Sequence, residues 1–415
     1  MMLEKVKTKK QDFKRYRGLI SEVLFAEVKK LARKLRDLKV VHVNSTPEGG
    51  GVAEILKTLV PLMENVGLCA EWYTIPGDEE FFDKKFLHDS LQGAKKNIPD
   101  DFFDYYLSHL ENIAKLFNDI KADVWVIHDP QPAGLIKFVP HMHPAISRFH
   151  IDTSSPNKKT FDFFLPILEA YDKIIFSAED FACKEIPKDK INIFQPAIDP
   201  FSLKNKTMSS TQIKTILKKL GINSKKPLIS QISRFDLWKD PLGVLKAYKI
   251  AKKKVPELQL VLAGIFLAKD DPGSEKMYKE IKKRTIKEKD VFLFGEPKTT
   301  KGIDVDIFVN VIQRASNVVL QKSIKEGFGL TVTEAMWKGK VVIGGNIGGI
   351  KKQIKNEENG FLVKSPEETA KKIIKIIEDK KLRRKIGRKA RESVKENFLM
   401  SRLLRDYLSL FREIM

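Results

Sequence analysis

Short apolar segments with strand character alternate with segments of helical periodicity along this chain. The first strand-like segment, 39–43, runs into the glycine-rich turn 44–51, and apolar residues at helical spacing follow from Val52 to Met63. A strand, a glycine-rich turn and a helix in this order open a doubly wound α/β domain. Ligands bind beyond the carboxyl ends of the strands in such sheets, so the polar residues after each strand are the candidates for function.

The alternation occurs twice. The first set of predicted strands continues with 69–75, 123–128, 145–150, 173–177 and 191–194. Segment 195–200 contains two prolines, breaks the pattern and is predicted to be a linker. The second set covers 228–233, 258–263, 291–294, 318–320 and 340–344. The pattern predicts two Rossmann-like α/β domains, 1–195 and 196–395, with a cleft between them.

The composition suits two folded domains. The chain has 415 residues, of which 42% are apolar, so wholesale disorder is excluded. Its two cysteines, Cys69 and Cys183, cannot build a disulfide framework or a zinc site, and we expect both to be buried. No apolar run approaches the length of a membrane span, and no signal-peptide core follows the charged N-terminus. A cytoplasmic protein is expected.

The charge is strongly basic, with 76 Lys and Arg against 54 Asp and Glu and a formal net charge of +22. Such an excess attracts polyanions, and nucleic-acid binding is one explanation. The basic runs, however, lie in segments with helical apolar spacing and are not interleaved with aromatic residues. Solvated helix faces are therefore the preferred interpretation, and no nucleic-acid partner is expected.

A first helix is predicted from Phe13 to Leu35, because apolar residues recur there at spacings of three and four. The apolar positions are Phe13, Tyr16, Ile20, Val23, Leu24, Val28, Leu31 and Leu35. The opposite face is basic, which would also suit a helix lying on an anionic membrane surface. Packing against its own domain is commoner, and we expect no stable membrane association.

The most informative stretch is 326–335, which follows the predicted strand 318–320 and opens a helix. Its glycines allow close approach of a ligand, and the free N–H groups of a helix start bind phosphate. Glu326 and Glu334 bracket this site, and each is expected to accept hydrogen bonds from sugar hydroxyls. The alternative is an ordinary helix start whose acidic residues favour the helix dipole.

A second motif, 233–241, also follows a predicted strand. Arg234 offers a planar fork to two oxygens and Lys239 a mobile point charge. Together they would hold a diphosphate and stabilise the charge that grows on it as a bond breaks. The alternative is that both side chains are simply solvated, as isolated loop cations usually are.

The glycine triplet 49–51 and the histidines are weaker signals. The triplet places backbone near a ligand, but it matches neither the dinucleotide fingerprint nor a Walker motif. His141 and His143 lack a third metal ligand nearby, so a surface position is preferred for both. His150, which ends a predicted strand just before Asp152, is the histidine most suited to function. A structural role for it stays open.

Taken together, these motifs resemble the retaining nucleotide-sugar glycosyltransferases of family 4. The resemblance rests on Glu326 with Glu334, on Arg234 with Lys239 and on the linker segment 196–200. Segments 44–54, 128–131 and 150–154 narrow it to the branch that makes or phosphorolyses trehalose. It implies a GT-B fold of two facing Rossmann-like domains, with a final helix, 396–415, packing back on the first. It also implies transfer of glucose from UDP- or ADP-glucose to free glucose, reversibly and with retention, giving trehalose.

The resemblance also implies a role for each motif residue. His150, Arg234, Lys239 and Glu326 would be catalytic, and Glu334 would hold the ribose. The remaining donor ligands would be Gly50, Gly51, Gly327, Phe328, Gly329, Leu330 and Thr331. The acceptor-binding first domain would use Glu48, Asp129 and Asp152.

No motif places a carboxylate as the nucleophile, so front-face displacement is the favoured mechanism. Arg234 and Lys239 would replace a divalent metal, and no metal or other cofactor is expected. Two alternatives stay open: a phosphorylase that uses phosphate and trehalose, and a family 4 transferase with a lipid or polysaccharide acceptor. The expected partners are small sugars and nucleotide sugars. A homodimer is possible on base rates alone.

Overall fold

The computed structural model describes residues 3–48, 50–77, 81, 86–94, 98–99, 101–264 and 272–415. The chain divides into two compact units, one formed by Met1–Ala197 with Met400–Met415 and the other by Ile198–Leu399. The sequence placed these boundaries at 195/196 and 395/396. Each unit is built around a largely parallel sheet with helices, so the predicted α/β class is confirmed.

The first unit contains a seven-stranded sheet in the order β1-β3-β2-β4-β5-β6-β7. Its strands are β1 (Glu4–Lys5), β2 (Lys39–Asn44), β3 (Cys69–Thr74), β4 (Val124–His128), β5 (Ala145–Arg148), β6 (Lys173–Phe176) and β7 (Ile191–Ile193). Only the edge strand β1, which the sequence did not predict, pairs antiparallel among these described strands. Strand β4 is buried along its whole length, which explains why it reads as a continuous apolar run.

The helices of the first unit connect these strands. In chain order they are α1 (Glu22–Lys34), α2 (Gly50–Val66), α3 (Phe86–Leu91), α4 (Asp101–Ala114), α5 (Pro130–Ala133) and α6 (Lys158–Glu169). Short 3-10 turns lie at Phe13–Tyr16, Lys115–Phe117, Gly134–Lys137, Glu179–Phe181 and Lys188–Lys190. Helix α2 starts at Gly50, within the glycine-rich segment 44–51 and two residues before the apolar spacing that predicted it.

The predicted continuous helix from Phe13 to Leu35 is wrong. The turn Phe13–Tyr16 ends at Arg17, whose backbone is extended, and Gly18 then takes a left-handed φ of 76°, which glycine adopts without strain. Ser21 then caps α1 by accepting a hydrogen bond from the backbone N–H of Leu24. The shifted start leaves Val23 78% exposed. Cys69, predicted to be buried, is also exposed, because β3 begins at the surface, whereas Cys183 is buried.

The second unit contains a six-stranded parallel sheet in the order β10-β9-β8-β11-β12-β13. Its strands are β8 (Leu228–Ile232), β9 (Gln259–Ala263), β10 (Val291–Phe294), β11 (Val318–Gln321), β12 (Val341–Gly345) and β13 (Phe361–Val363). Strand β13 was not predicted, because three residues between a turn and a helix give too short a pattern. The 3-10 turns are Leu237–Lys239 and Pro297–Thr300.

Eight α-helices of the second unit lie in its described part. They are α7 (Ser210–Leu220), α8 (Pro241–Lys252), α9 (Pro272–Thr285), α10 (Val305–Ala315), α11 (Leu330–Trp337), α12 (Ile350–Gln353), α13 (Pro366–Glu378) and α14 (Lys380–Asn397). The chain then returns to the first unit as α15 (Met400–Ile414), which packs on α1 and α2 through an apolar face that includes Leu404 and Tyr407. Among the described residues, every helix is too short or too polar to cross a bilayer.

The strand orders place a switch point in each sheet. In the first unit, β2 lies between β3 and β4, so the chain adds β3 on one side of β2 and then crosses over to add β4 and the later strands on the other side. In the second unit, β8 lies in the same way between β9 and β11. The carboxyl ends of parallel strands around such a point form a crevice that suits ligands. The motifs singled out in the sequence follow β2, β4 and β5 in one unit and β8 and β11 in the other.

Candidate active site

The loop after β8 holds Arg234 and Lys239 and is fixed at both ends by hydrogen bonds. Asp236 accepts from the backbone N–H of Lys239 at 3.0 Å, which caps the 3-10 turn Leu237–Lys239. Gln231, in β8, donates from its side-chain amide to the carbonyl oxygen of Lys239 at 2.8 Å. Lys239 is therefore held by backbone contacts and not by its own side chain alone.

Asp240 closes this loop and starts α8. It has a left-handed φ of 45°, and its side chain accepts from the backbone N–H of Gly243 at 2.9 Å. The buried ammonium of Lys322, directly after β11, forms an ion pair with the same carboxylate. The ends of β8 and β11 are thus joined by a pair that the sequence analysis did not anticipate.

Lys239 and Glu326, predicted as separate ligands for phosphate and sugar, are in direct contact. The Lys239 Nζ lies 2.6 Å from Oε2 of Glu326, and the two side chains are only 14% and 11% exposed. The same Oε2 accepts from Gln321 Nε2 at 3.1 Å and from Ser323 Oγ at 3.3 Å. These three bonds all end on one carboxylate oxygen, so Oε1 keeps its capacity to accept hydrogen bonds from a sugar.

Arg234 lies on the same loop with its side chain 53% exposed. Its Nη2 lies 3.3 Å from Oδ2 of Asp236. Asp236 is therefore an ion-pair partner of the guanidinium and also caps the turn that carries Lys239. A half-exposed guanidinium can offer N–H groups to an anion with little rearrangement.

The segment 327–331 leads from Glu326 into α11. Gly329 has a left-handed φ of 83°, and no side chain caps the helix there, so the N–H groups of Leu330 and Thr331 are not used by a cap. Phe328 is buried and packs on Phe398, with ring centroids 5.8 Å apart. Its carbonyl oxygen accepts from Gln353 Nε2 at 2.6 Å. These contacts fix the position of the helix start, and no side chain caps its N–H groups.

A second glycine segment, 344–349, supports this loop from the end of β12. The backbone N–H of Gly349 donates to the carbonyl oxygens of Glu326 and Gly327 at 3.3 and 3.0 Å. A side chain on Gly348 would overlap the Glu326 carbonyl oxygen, and Gly348 also has a φ of 43°. Glycine is therefore required here for two separate reasons.

Glu334 lies one turn inside α11 and is buried, with 4% of its side chain exposed. Its Oε1 lies 3.6 Å from the Nζ of Lys204, which also lies 3.7 Å from Asp306. Lys204 comes from the segment before α7 and had no sequence signal. The ammonium lowers the cost of burying this carboxylate and keeps it close to the start of α11.

In the first unit, His150 is the end of a chain of three histidines. Nδ1 of His42 lies 3.0 Å from Nε2 of His128, and Nδ1 of His128 lies 3.1 Å from Nε2 of His150. His42 and His128 are buried, and His150 is partly exposed. Burial lowers the pKa of His42 to about 3 and that of His150 to about 4. All three rings are therefore neutral near pH 7.

Asp129 connects the ends of β4 and β5. Its backbone has φ 65° and ψ 171°, a conformation that is costly for any residue except glycine. Its Oδ1 accepts from the backbone N–H of His150 at 2.8 Å, and Oδ2 lies 3.9 Å from Nε2 of His88. Burial alone would raise the pKa of this carboxyl, but His150 and His88 outweigh it and the net pKa is lowered. Asp129 is thus a buried anion that positions His150.

The remaining predicted residues of the first unit lie on two loops. Glu48 is exposed in the turn after β2, and Gly50 and Gly51 begin α2 with exposed backbone. Gly50 has a φ of 70°, which allows this abrupt start. Asp152 is partly buried and accepts from the backbone N–H of Ser154 at 2.9 Å. Gly49 lies outside the described residues.

Several residues that shape the site escaped the sequence analysis. Gln321 ends β11, and Lys322 and Ser323 directly follow it, so the rule that ligands gather at carboxyl ends could have found all three. His42 gave no signal, because its relation to His128 depends on the register of two strands. Within the described part of the chain, no group of three or more His, Cys, Asp or Glu side chains is arranged to hold a metal ion.

Comparison with known proteins places the two units in one family. The protein-family model described as "Trehalose synthase, N-terminal domain" matches residues 42–183. The family model described as "Glycosyl transferases group 1" matches residues 212–393. The chain is 39% identical to the trehalose synthase of Pyrococcus horikoshii over 98% of its own length and 97% of that protein. It is 38% identical to the trehalose synthase of Rubrobacter xylanophilus, with both chains fully covered.

The fold is shared with solved glycosyltransferases. The crystal structure of a glycosyltransferase from Rickettsia africae matches with a TM-score of 0.71 and 20% identity, covering 91% of this chain and 98% of that one. This similarity concerns the fold, which is of the GT-B class. The fold expected from the sequence resemblance is therefore confirmed.

Proposed function

This chain belongs to the trehalose synthase family of group 1 glycosyltransferases, and we propose that it transfers glucose from a nucleoside diphosphate glucose to free glucose. The products would be trehalose and the nucleoside diphosphate, the reaction would be reversible, and UDP- or ADP-glucose would be the donor. The observation that supports this most strongly is the similarity to trehalose synthases at 38–39% identity over essentially the whole chain. A hexosyl transfer related to trehalose follows from the family itself.

The second unit offers a matching set of groups for the donor. One of the three N–H groups of Lys239 is bonded to Glu326, and the other two are suited to phosphate oxygens. The uncapped helix start at Leu330 and Thr331 and the guanidinium of Arg234 add further donors for the diphosphate. Oε1 of Glu326 would accept from hydroxyls of the glucose, helped by the backbone of residues 327–329, and Glu334 would accept from the ribose.

The first unit would hold sugar at the loops after β2, β4 and β5. Glu48 lies on the loop after β2 and Asp152 on the loop after β5, and Asp129, directly after β4, accepts a hydrogen bond from the backbone N–H of His150. Gly50 and Gly51 expose backbone at the start of α2, where donor phosphate or sugar can be bound. His150 would contact a sugar oxygen through its ring.

The proposed reaction is a front-face displacement. The bond between the anomeric carbon of the donor and the diphosphate oxygen breaks, and a bond to the anomeric hydroxyl oxygen of glucose forms on the same face. The proton of that hydroxyl passes to the leaving phosphate oxygen. Arg234 and Lys239 stabilise the negative charge that develops on the leaving group, and this charge is where fixed cations contribute most to the rate.

The test is to follow UDP-glucose or ADP-glucose with free glucose by carbon-13 NMR in the presence of the purified protein. A symmetric α,α-linked disaccharide, formed together with nucleoside diphosphate, is the expected result. Hydrolysis alone, or product only with a different acceptor, would contradict the proposed acceptor. Formation of glucose 1-phosphate from trehalose, at a rate set by phosphate concentration, would establish a phosphorylase in its place.

Removal of divalent metal is expected to leave this turnover unchanged, because Arg234 and Lys239 supply the positive charge at the leaving group. The measurement compares initial rates before and after dialysis against EDTA, with saturating donor and acceptor. Equal rates are expected. Loss of turnover after EDTA, with recovery on adding Mg²⁺, would show that the two cations are not sufficient.

A further inference from the structure

The histidine chain of the first unit advances regularly across three neighbouring strands. Strand register pairs His42 with Val126 and His128 with Arg148, so each histidine lies two residues beyond the partner of the previous one. Two residues is the period of a strand, so His42 and His128 lie on one face of the sheet. The chain runs from buried His42 to partly exposed His150 at the carboxyl edge.

The hydrogen bonds along a chain of neutral imidazoles can run in only two directions. Each ring carries one N–H donor and one bare nitrogen acceptor, so the direction of one bond dictates the next. In one arrangement His42 donates to His128 and His128 donates to His150, and all three rings carry their proton on Nδ1. In the other arrangement every bond is reversed, and His42 carries its proton on Nε2.

The surroundings of His42 select the first arrangement. Its Nε2 is fully buried and has no hydrogen-bond partner among the described residues. The reversed chain would leave a buried N–H donor unpaired there, whereas the first leaves only a bare nitrogen. Orphaned buried donors are rarer and costlier than underused acceptors. The Tyr407 ring packs near His42 in an edge-to-face arrangement, with the ring centroids 6.0 Å apart.

We infer that His42 and His128 are positioning residues that fix His150 in its Nδ1–H tautomer, so that His150 offers a permanent hydrogen-bond donor to a sugar oxygen. Nε2 of His150 is occupied by His128, and no described residue bonds its Nδ1. The backbone N–H of His150 is held by Asp129. The identity of the bound oxygen as a sugar oxygen rests on the proposed function, whereas the tautomer does not.

The charged and titratable groups around the chain agree with a neutral donor. Asp129, Arg148 and His88 act on His150, and Arg148 also acts on His128. Burial lowers the pKa of each of the three histidines, and only Asp129 opposes it at His150. His150 is therefore suited to orient a sugar and not to move a proton in the reaction.

The tautomers can be read by NMR on the ligand-free protein labelled with nitrogen-15 histidine. His42, His128 and His150, assigned by single substitutions, are expected to show a protonated Nδ1 and a bare Nε2 near pH 7. His109 and His141 are internal references of the opposite tautomer, because their Nε2 atoms lie 3.0 and 3.2 Å from backbone carbonyl oxygens, which require a donor. A protonated Nε2 on His150 would overturn the inference.

Two substitutions of His128 separate tautomer control from packing, because its Nδ1–H is the donor to Nε2 of His150. In His128→Asn the side-chain amide replaces this donor, so the Nδ1–H signal of His150 and the kcat/KM for trehalose formation should stay within about threefold of wild type. In His128→Phe the ring is kept but the donor is lost, so His150 should show both tautomers and kcat/KM should fall by up to about tenfold, the value of one hydrogen bond. Equal behaviour of the two folded variants would refute the inference. If the three histidines showed the expected tautomers but the protein formed no trehalose, only the proposed function would be overturned.

Discussion

Replacement of Lys239 by methionine is expected to lower kcat for trehalose formation by about 100- to 1,000-fold, the usual cost of losing one group that stabilises transition-state charge. Methionine keeps the unbranched stem of lysine, so the loop after β8 retains its packing. The backbone contacts of residue 239 with Asp236 and Gln231 are also unaffected. Because the ammonium is proposed to act mainly on the leaving diphosphate, KM for the donor should change much less than kcat.

Lys246→Met is the matched control for this prediction. Lys246, in α8, also forms an ion pair with a glutamate, at 2.8 Å from Glu367, but both side chains are more than half exposed. Its loss should leave kcat and the melting temperature close to those of wild type, since exposed ion pairs contribute little. Steady-state kinetics on both variants, together with thermal melts, provide the measurement. A Lys239→Met enzyme within threefold of wild type would contradict the proposed role.

The sequence was sufficient to predict the fold because the signal for parallel strands is strong. Buried strands such as β4 read as continuous apolar runs, and polar motifs follow them at the edge where ligands bind. This combination placed Arg234, Lys239, Glu326 and His150 at the carboxyl ends of their strands. It failed at the first helix, where the apolar spacing continued through Gly18 although the backbone does not.

Contacts between distant segments could not be predicted in the same way. The pair formed by Lys239 and Glu326 joins residues 87 positions apart, and its geometry depends on how β8 and β11 pair. The link between His42 and His128 depends on strand register in the same manner. A shift of one residue would turn one ring to the other face, and a single sequence does not specify that register.

Lys204 shows a further limit of prediction from one sequence. It lies in an irregular segment, where neither periodicity nor a turn motif distinguishes it from other lysines in a basic chain. Only the fold reveals that its ammonium comes within 3.6 Å of Glu334. The segment 344–349 is different, because two of its glycines end β12 and two follow it closely, at the carboxyl end where the sequence rule looks for ligands.

The glycines of that segment lead to a second large expected effect. Gly348→Ala should lower kcat/KM for trehalose formation by about 100-fold, the cost of displacing a positioned group by roughly 1 Å. The new Cβ would overlap the carbonyl oxygen of Glu326, a backbone atom that cannot rotate away, so the loop that carries Glu326 must shift. The same steady-state assay and a thermal melt measure the effect.

Gly302→Ala separates this displacement from backbone strain. Gly302 has a φ of 73°, also in the left-handed region, but a Cβ there would meet no atom within 4 Å. Both variants are therefore expected to lose about 1–2 kcal/mol of folding free energy through the left-handed backbone, while only Gly348→Ala moves the donor loop. Gly302→Ala should melt at a lower temperature than wild type and keep its kcat/KM. If both variants lost activity equally, strain and not the contact with Glu326 would be the cause, and the proposed support of the donor loop by segment 344–349 would be wrong.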